Sequence, residues 1–534
     1  MRMIRQVSKL GVFIAFFPGL AGYLCFTFFK VTAKLWISVF KYLTACFYQL
    51  LGFSNILMKH PNVPNSHIKA INLIKNSLVK KEVNTFLSLQ KSALIFGFSI
   101  FFLSFFLLIL FWLFKGKKDR RSVNISGKNV VPSKKMRRLI LNNNEASNIE
   151  ISNVPLIKGT ETQHLLLTGT TGSGKSTCLH NLIDSIGSNK TLIFDATGEF
   201  IDRHFQEGDI ILNPFDKRSA KWNMWAECSQ AFHYNDLAEY FIPQTNSDPF
   251  WVNSARILFS ELLELTATTK SIKYLTKLLF KMPLKDLFKV LKDTKAGPLV
   301  DPSADKTASS IRAQLSSSLS CLEYLEETDN PFSLRKWIQD DTKKNKVFLL
   351  MLPEQRAILR PLISAWLSIA MKSLLGCIPS QERKVWFVID EIASLYSFKE
   401  IETFLAEGRK YGGCCVISTQ NLSQIESLYG PNITKSIIDL SLTKILFQCS
   451  EYENAQRISK LLGQKEIRIK HEGISYGAHE MRDGVSLSTQ ERIEYVVKPT
   501  ELLELAPLEA YLSLPKNYGV TKIKIERNKS NNIY

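Results

Sequence analysis

The chain has 534 residues, 45% of them apolar, which excludes a disordered or fibrous protein and leaves room for several domains. Its net charge of +19 is concentrated: residues 1–121 carry 17 Lys and Arg against only Glu82 and Asp119, and the other 413 residues hold just +4. The bulk charge is therefore no evidence that the body of the protein binds nucleic acid, and nine scattered cysteines without a CxxC pair exclude a disulfide scaffold or a structural zinc site.

Taken from the N-terminus, residues 11–29 (GVFIAFFPGLAGYLCFTFF) follow Arg2, Arg5 and Lys9 and are apolar over a length that fits a retained membrane span better than a signal peptide. Residues 92–114 (SALIFGFSIFFLSFFLLILFWLF) contain no charge, and the next seven, KGKKDRR, carry five positive ones. This pattern predicts a transmembrane helix whose C-terminal end faces the cytoplasm. The two spans make 1–121 a membrane anchor with an extracytoplasmic loop at 30–91. Within that loop 35–53 is apolar but interrupted by Lys41, which predicts an interfacial helix rather than a third span.

Residues 122–163 are polar, basic and Asn-rich and read as a linker. From 164 onward, apolar runs of four to six residues alternate with helical patterns. HLLLT (164–168), TLIFD (191–195), VFLLML (347–352), VWFVI (385–389), CVIST (415–419) and TKILF (443–447) predict buried parallel strands, with helices at Lys175–Ile186, Pro361–Leu375 and 396–410. Residues 226–340 have few strand-like runs and predict an all-helical insertion between two parts of one α/β domain, 164–225 and 341–515. Residues 516–534 read as a short polar tail.

Residues 169–176, Gly-Thr-Thr-Gly-Ser-Gly-Lys-Ser, satisfy GxxxxGK[ST] between a predicted strand and a predicted helix. The expected phosphate loop comprises Gly169, Thr170, Thr171, Gly172, Ser173, Gly174, Lys175, Ser176 and Thr177. Its N–H groups would curl around the β-phosphate of ATP, with Lys175 reaching the β- and γ-phosphates, Ser176 ligating Mg2+ and Thr177 supporting the α-phosphate. The strand 385–389 ends in Asp390 and Glu391, the pair expected to hold the Mg2+ shell and to polarise the attacking water. Gln420, at the end of the strand 415–419, reads as a γ-phosphate sensor or as a solvated strand terminus. Arg409 reads as a cation capping the helix 396–410 or as an arginine finger for a neighbouring subunit. The fold class implied is α/β, a RecA-like P-loop ATPase core with an inserted all-alpha domain and an N-terminal two-helix anchor.

Several further segments occur in order with these: FDATGEF (194–200), LNPFDKRSAKWNMW (212–225), DPFWVNSARILF (248–259), AEGRKYGGCCVISTQNLSQI (406–425) and Tyr429-Gly430. Together with LLLTGTTGSGKST and VWFVIDEIASL, they resemble the type IV secretion coupling proteins, the TraD/TrwB group of conjugative ATPases. The resemblance covers about residues 160–470 and the anchor. It implies a homo-hexameric ring below the bacterial inner membrane that moves single-stranded DNA, with attached relaxase or relaxosome, to the type IV secretion channel. It also implies that Arg409 is the trans finger and Gln420 the sensor. Several members carry a long acidic tail after the motor, and this chain ends soon after its own. A receptor for protein effectors and an FtsK-like translocase are the alternatives, the latter disfavoured because nothing after residue 500 provides a winged helix.

Overall fold

The computed structural model describes residues 2–119, 123–244, 248–475 and 484–527. The chain divides into two compact units, residues 1–123 with 468–491, and residues 124–467 with 492–534.

In the first unit, α1 (Arg2–Lys30) and α2 (Ala33–Leu50) are followed by a short antiparallel pair, β1 (Leu57–Lys59) and β2 (His67–Lys69), then α3 (Ala70–Lys75) and the 43-residue α4 (Ser77–Asp119). Stretches of α1 and α4, Leu10–Lys30 and Ser77–Lys115, are each long and apolar enough to cross a membrane. Small residues let them approach closely. A Cβ at Gly19 would stand 3.0 Å from the Gly97 carbonyl, and one at Gly97 would stand 3.0 Å from the Gly19 carbonyl.

The segment expected to lie in a membrane interface forms α2, which runs antiparallel along the N-terminal part of α4. Trp36 packs on Phe86 with ring centroids 4.9 Å apart, Lys34 pairs with Glu82 at 3.7 Å, and Ala45 shares a small core with Val79 and Leu73. The only acid of residues 30–91, Glu82, is the reason: its carboxylate recruits Lys34 and the Asn62 amide (2.7 Å).

The second unit opens with β3 (Val123–Gly127), α5 (Ser133–Asn142) and the hairpin β4 (Ala146–Ile151) and β5 (Val154–Ile157). This corrects the expected linker 122–163. Met136 and Ile140 sit one helical turn apart, and Ile149, Ile151, Val154 and Leu156 join them in one buried cluster. Ser152 and Asn153, at φ +49° and +66°, turn the hairpin. The Lys, Arg and Asn content that reads as a linker lies on the outer surface of these elements.

The central sheet follows: β6 (Leu165–Thr168), α6 (Lys175–Ile186), β7 (Lys190–Asp195), α7 (Glu199–His204) and β8 (Ile210–Leu212). Then come α8 (Phe232–Phe241), α9 (Pro249–Leu265), α10 (Ile272–Thr276), α11 (Leu284–Leu291), α12 (Asp305–Leu319) and α13 (Leu334–Gln339). No strand interrupts them among the described residues of 226–340. The sheet resumes with β9 (Lys346–Leu350), α14 (Arg356–Leu375), β10 (Val385–Ile389), α15 (Glu400–Glu407), β11 (Gly413–Thr419), α16 (Leu422–Leu440), β12 (Thr443–Leu446) and α17 (Tyr452–Leu462). Two long strands, β13 (Gln464–Ser475) and β14 (Gly484–Tyr495), precede α18 (Pro499–Leu503), β15 (Glu509–Ser513) and β16 (Val520–Lys524).

The nine strands run in the order β16-β15-β12-β6-β11-β10-β7-β9-β8, parallel from β12 to β8, with β15 and β16 antiparallel at one edge. All six expected strands lie in this sheet. The expected polar tail is corrected in part: Val520–Lys524 forms the edge strand, burying Val520 and Ile523, while residues 528–534 lie outside the described residues. Alternating apolar and Lys residues suit an edge strand, and this alternation is easily read as merely polar.

Two buried charges hold α13 against this sheet. At its N-terminal end the Glu227 carboxylate accepts from Leu334 N–H (2.8 Å), Arg335 N–H (2.9 Å), Ser333 Oγ (3.1 Å) and Trp222 Nε1 (2.8 Å). At its other end Lys190 Nζ donates to the carbonyls of Trp337, Ile338 and Asp340 at 2.7–3.1 Å. Each charge has the sign that complements the helix dipole. Glu227→Ala should cost about 3 kcal/mol in urea unfolding, because four buried donors lose their acceptor, and Glu227→Gln should cost less.

Candidate functional site

β6 lies inside the sheet between β11 and β12, so the loop after it opens at the edge where the parallel strands end. Residues 169–174 curl there before α6 begins at Lys175. Two glycines are dictated by space. A Cβ on Gly169 would stand 2.4 Å from Phe447 Cβ, and one on Gly174, at φ +110°, would stand 2.9 Å from Leu508 Cδ2. Neighbouring strand ends pin the loop: Thr170 N–H donates to the Gln448 carbonyl (2.9 Å), and Leu508 N–H donates to the Ser173 carbonyl (2.9 Å). Lys175 Nζ turns back to the carbonyls of Gly169 (2.6 Å) and Thr170 (3.0 Å). Burial lowers its pKa, and Glu391 and Asp390 oppose that shift. Ser176 and Thr177 occupy the following half-buried positions of α6.

β10 delivers Asp390 and Glu391 to the same edge. Burial, then the carboxylates of Asp195, Glu391 and Glu199, raise the Asp390 pKa to about 7, against the pull of Lys175. Glu391 is also raised, by burial, while Lys175, Gln420 and Arg356 pull it back. Its Oε1 is buried without a hydrogen-bond partner, as are Thr168 Oγ1 and Ser418 Oγ on the adjoining strands. Gln420, at the end of β11, accepts from Thr171 Oγ1 at 3.3 Å and thereby reaches the loop. The loop, Lys175, Asp390, Glu391 and Gln420 are thus one constellation.

Arg409 is not part of it. It follows α15 and precedes β11, at the opposite edge of the sheet from Gln420. The seven residues of β11, at ~3.3 Å each, separate the two by roughly 20 Å. The side chain is exposed, and no hydrogen bond or ion pair engages it among the described residues. The capping reading therefore finds no bonded carbonyl, and Arg409 cannot serve its own chain's loop.

Asp195, at the end of β7, is a further buried carboxylate to which motif spacing alone assigns no role. Its carboxylate accepts four backbone N–H bonds, from Thr197 (3.1 Å), Gly198 (2.7 Å), Phe200 (3.0 Å) and Ile201 (3.0 Å), so it holds the start of α7 and carries Glu199 toward Asp390. Burial raises its pKa and those four bonds oppose the rise. The spacing Asp195-x-x-Gly198 at a strand end was the available signal. Leu508 and Gln448, which close on the loop from distant sequence, left none.

The residues fit a nucleotide with a divalent cation. Four carboxylates (Asp195, Glu199, Asp390 and Glu391) against one lysine, an Asp whose pKa is raised to about 7 and an orphaned Glu oxygen form a donor set short of positive charge. Asp390 and Ser176 could hold the cation, and the loop N–H groups and Lys175 could hold phosphates.

A family model described as the type IV secretion-system coupling protein DNA-binding domain matches residues 148–526. The coupling protein TraD of Escherichia coli (strain K12) is 32% identical, over 77% of this chain and 59% of its own length, so the chain spans about three-fifths of that relative. Among solved structures, the unbound monoclinic form of the bacterial conjugative coupling protein TrwBdeltaN70 is similar with a TM-score of 0.68 at 26% identity, covering 76% of this chain and 94% of that one. The plasmid coupling protein TrwB in complex with ADP and Mg2+ gives a TM-score of 0.68 at 26% identity, with 78% and 97% coverage. The chain belongs to the type IV secretion-system coupling-protein family, and the fold of its second unit is a RecA-like nucleotide-binding fold with a helical domain.

The Asp390 environment has a pH consequence. The unfolded chain releases this proton near 3.8 and the folded chain near 7, so the stability it contributes is present below about pH 4 and lost as pH rises to 7. Without Mg2+, Asp390→Asn should therefore melt higher than wild type at pH 8, by roughly 1–3 kcal/mol, and match it near pH 4. Mg2+ should raise the wild-type melting temperature more at pH 8 than at pH 6, and should leave Asp390→Asn unmoved.

Proposed function

We propose that this member of the coupling-protein family is a membrane-anchored ATPase that uses ATP and Mg2+ to deliver single-stranded DNA, with bound relaxase or relaxosome, to a type IV secretion channel. The observation that carries the reading is the convergence of the phosphate loop with Asp390, Glu391 and Gln420 at one sheet edge. The description of the matching family model as a DNA-binding domain supports DNA as cargo. We assign 1–121 as the inner-membrane anchor, 164–225 with 341–515 as the nucleotide-binding domain, and 226–340 as the all-alpha domain, with the motor on the cytoplasmic side.

In this reading the loop N–H groups and Lys175 cradle the phosphates, and Ser176 and Asp390 hold Mg2+. The cation neutralises phosphate charge when bound. Phosphates would draw Lys175 Nζ from the Gly169 and Thr170 carbonyls that now satisfy it. Glu391, with a pKa raised by burial, is a stronger base than a solvated carboxylate and takes the proton of the attacking water. Gln420, placed between Thr171 and Glu391, responds to the γ-phosphate. Arg409, barred by distance from its own site, completes the site of the next subunit in a homo-hexamer.

Lys175→Ala should abolish hydrolysis with the fold intact. Glu391→Gln should retain ATP binding and lose about 10²–10⁴-fold in turnover. Single-stranded DNA should stimulate the wild-type ATPase, more at low than at moderate salt, and hydrolysis indifferent to DNA would point to protein cargo. Arg409→Ala should be inactive alone, and rings mixed with Lys175→Ala subunits should regain activity, since each then supplies what the other lacks. Mixed rings as dead as either parent would remove the trans role.

A further inference from the structure

His164 holds a backbone conformation that its own side chain makes costly. It stands between the 3-10 turn Glu161–Gln163 and β6, at φ +58° and ψ 158°. That region belongs to glycine, and a residue with a Cβ persists there only where its surroundings enforce it. Glycine would relieve the strain, so the imidazole is present for what it bonds.

The ring is 1% exposed and both of its nitrogens are engaged. Nδ1 accepts from Cys415 N–H at 3.2 Å. That role puts the proton on Nε2, which donates to the Leu405 carbonyl at 2.9 Å. Burial lowers the pKa to about 4, so the ring is neutral and keeps this pattern at pH 7. The Leu405 carbonyl lies in the last turn of α15, one of those that a helix end leaves for outside partners. His164 thus caps α15, and Arg409 beyond the helix stays exposed and unbonded.

The backbone on either side of Arg409 is seated as firmly. Phe404 is fully buried, its ring centroid 6.0 Å from that of His164 and 4.8 Å from that of Phe387. A Cβ on Gly413 would stand 2.6 Å from Phe404 Cζ, and one on Gly408 would stand 3.4 Å from Phe404 Cε2. Both glycines therefore press on one ring. A free arginine on a fixed backbone is suited to act outside its own subunit.

We infer that His164 is a positioning residue for Arg409: its bond to the Leu405 carbonyl fixes the end of α15, and with it the place from which the arginine reaches a neighbouring subunit. The inference rests on the trans role of Arg409 proposed above. Loss of the bond displaces the finger that a subunit lends. It spares the subunit's own phosphate loop, ~13 Å away at the far end of β6.

The test is ATP turnover by the full chain in its membrane, alone and in mixed rings. His164→Asn keeps an oxygen to accept from Cys415 N–H, tolerates positive φ and is too short to reach Leu405. It should lose on the order of 10–10²-fold in turnover. Mixed with Lys175→Ala, which lends an intact finger, it should regain activity as Arg409→Ala does. Mixed with Arg409→Ala it should not, because neither chain then lends a finger. His164→Gln, whose amide nitrogen reaches the place of Nε2, should stay close to wild type. Unchanged turnover in His164→Asn, recovery with Arg409→Ala, no recovery with Lys175→Ala, or a His164→Gln as impaired as His164→Asn overturns the inference. If His164→Asn does not fold, His164→Ala takes its place, and failure of both to fold makes the residue a core element only and overturns the inference too. If the control mixture of Arg409→Ala with Lys175→Ala stays dead, the trans role fails and the inference falls with it.

Discussion

A parallel sheet covered on both faces gives its backbone no access to water and its polar side chains only one outlet, the strand ends. That constraint organises the second unit. Each of β6, β7, β10 and β11 is buried along its whole length. The residues that end them or follow them, from Thr168 onward, Asp195, Asp390 with Glu391, and Gln420, emerge at a single edge. The functional constellation is what a buried sheet produces when acids and a glycine loop are placed at the ends of neighbouring strands. The helical residues 226–340 do not disturb it, because they leave the sheet after β8 and return at β9, and the buried Glu227 and Lys190 pin both ends of the last helix.

The site so formed is electrostatically incomplete. Asp195 is satisfied by backbone donors and works as a brace for α7. Asp390 and Glu391 have no such donors in number, and Lys175 spends its own on loop carbonyls. Holding carboxylates apart from their counter-charge costs stability, and a cation with a phosphate ligand removes that cost. Binding and stability are therefore the same free energy seen from two sides.

Much of this was legible in the sequence because the signals are local. The run of six apolar strands, the phosphate loop and the Asp390-Glu391 pair each need only a few adjacent residues, and α6 begins and ends at the residues the pattern gives. Three features were not legible. The elements at 123–157 hide behind surface Lys and Asn, so that composition outweighs the Met136–Ile140 periodicity. The edge strand β16 alternates apolar and basic residues over only five positions. The closure of Leu508 onto Gly174 joins residues over 300 apart, and no local pattern encodes it. For Arg409 the local motif marks a position only, and the direction of β11 is what excludes service to its own loop.

The 43 residues of α4 form one helix without an internal proline, unlike α1, which contains Pro18. At 1.5 Å per residue such a rod is ~65 Å long, about twice the thickness of a bilayer core. Stiffness over that length makes it a lever. A tilt of about ten degrees about one end would carry the other ~11 Å sideways. If α4 crosses the membrane as proposed, whatever it anchors on one side would feel angular changes on the other side as displacement, without any hinge having to bend.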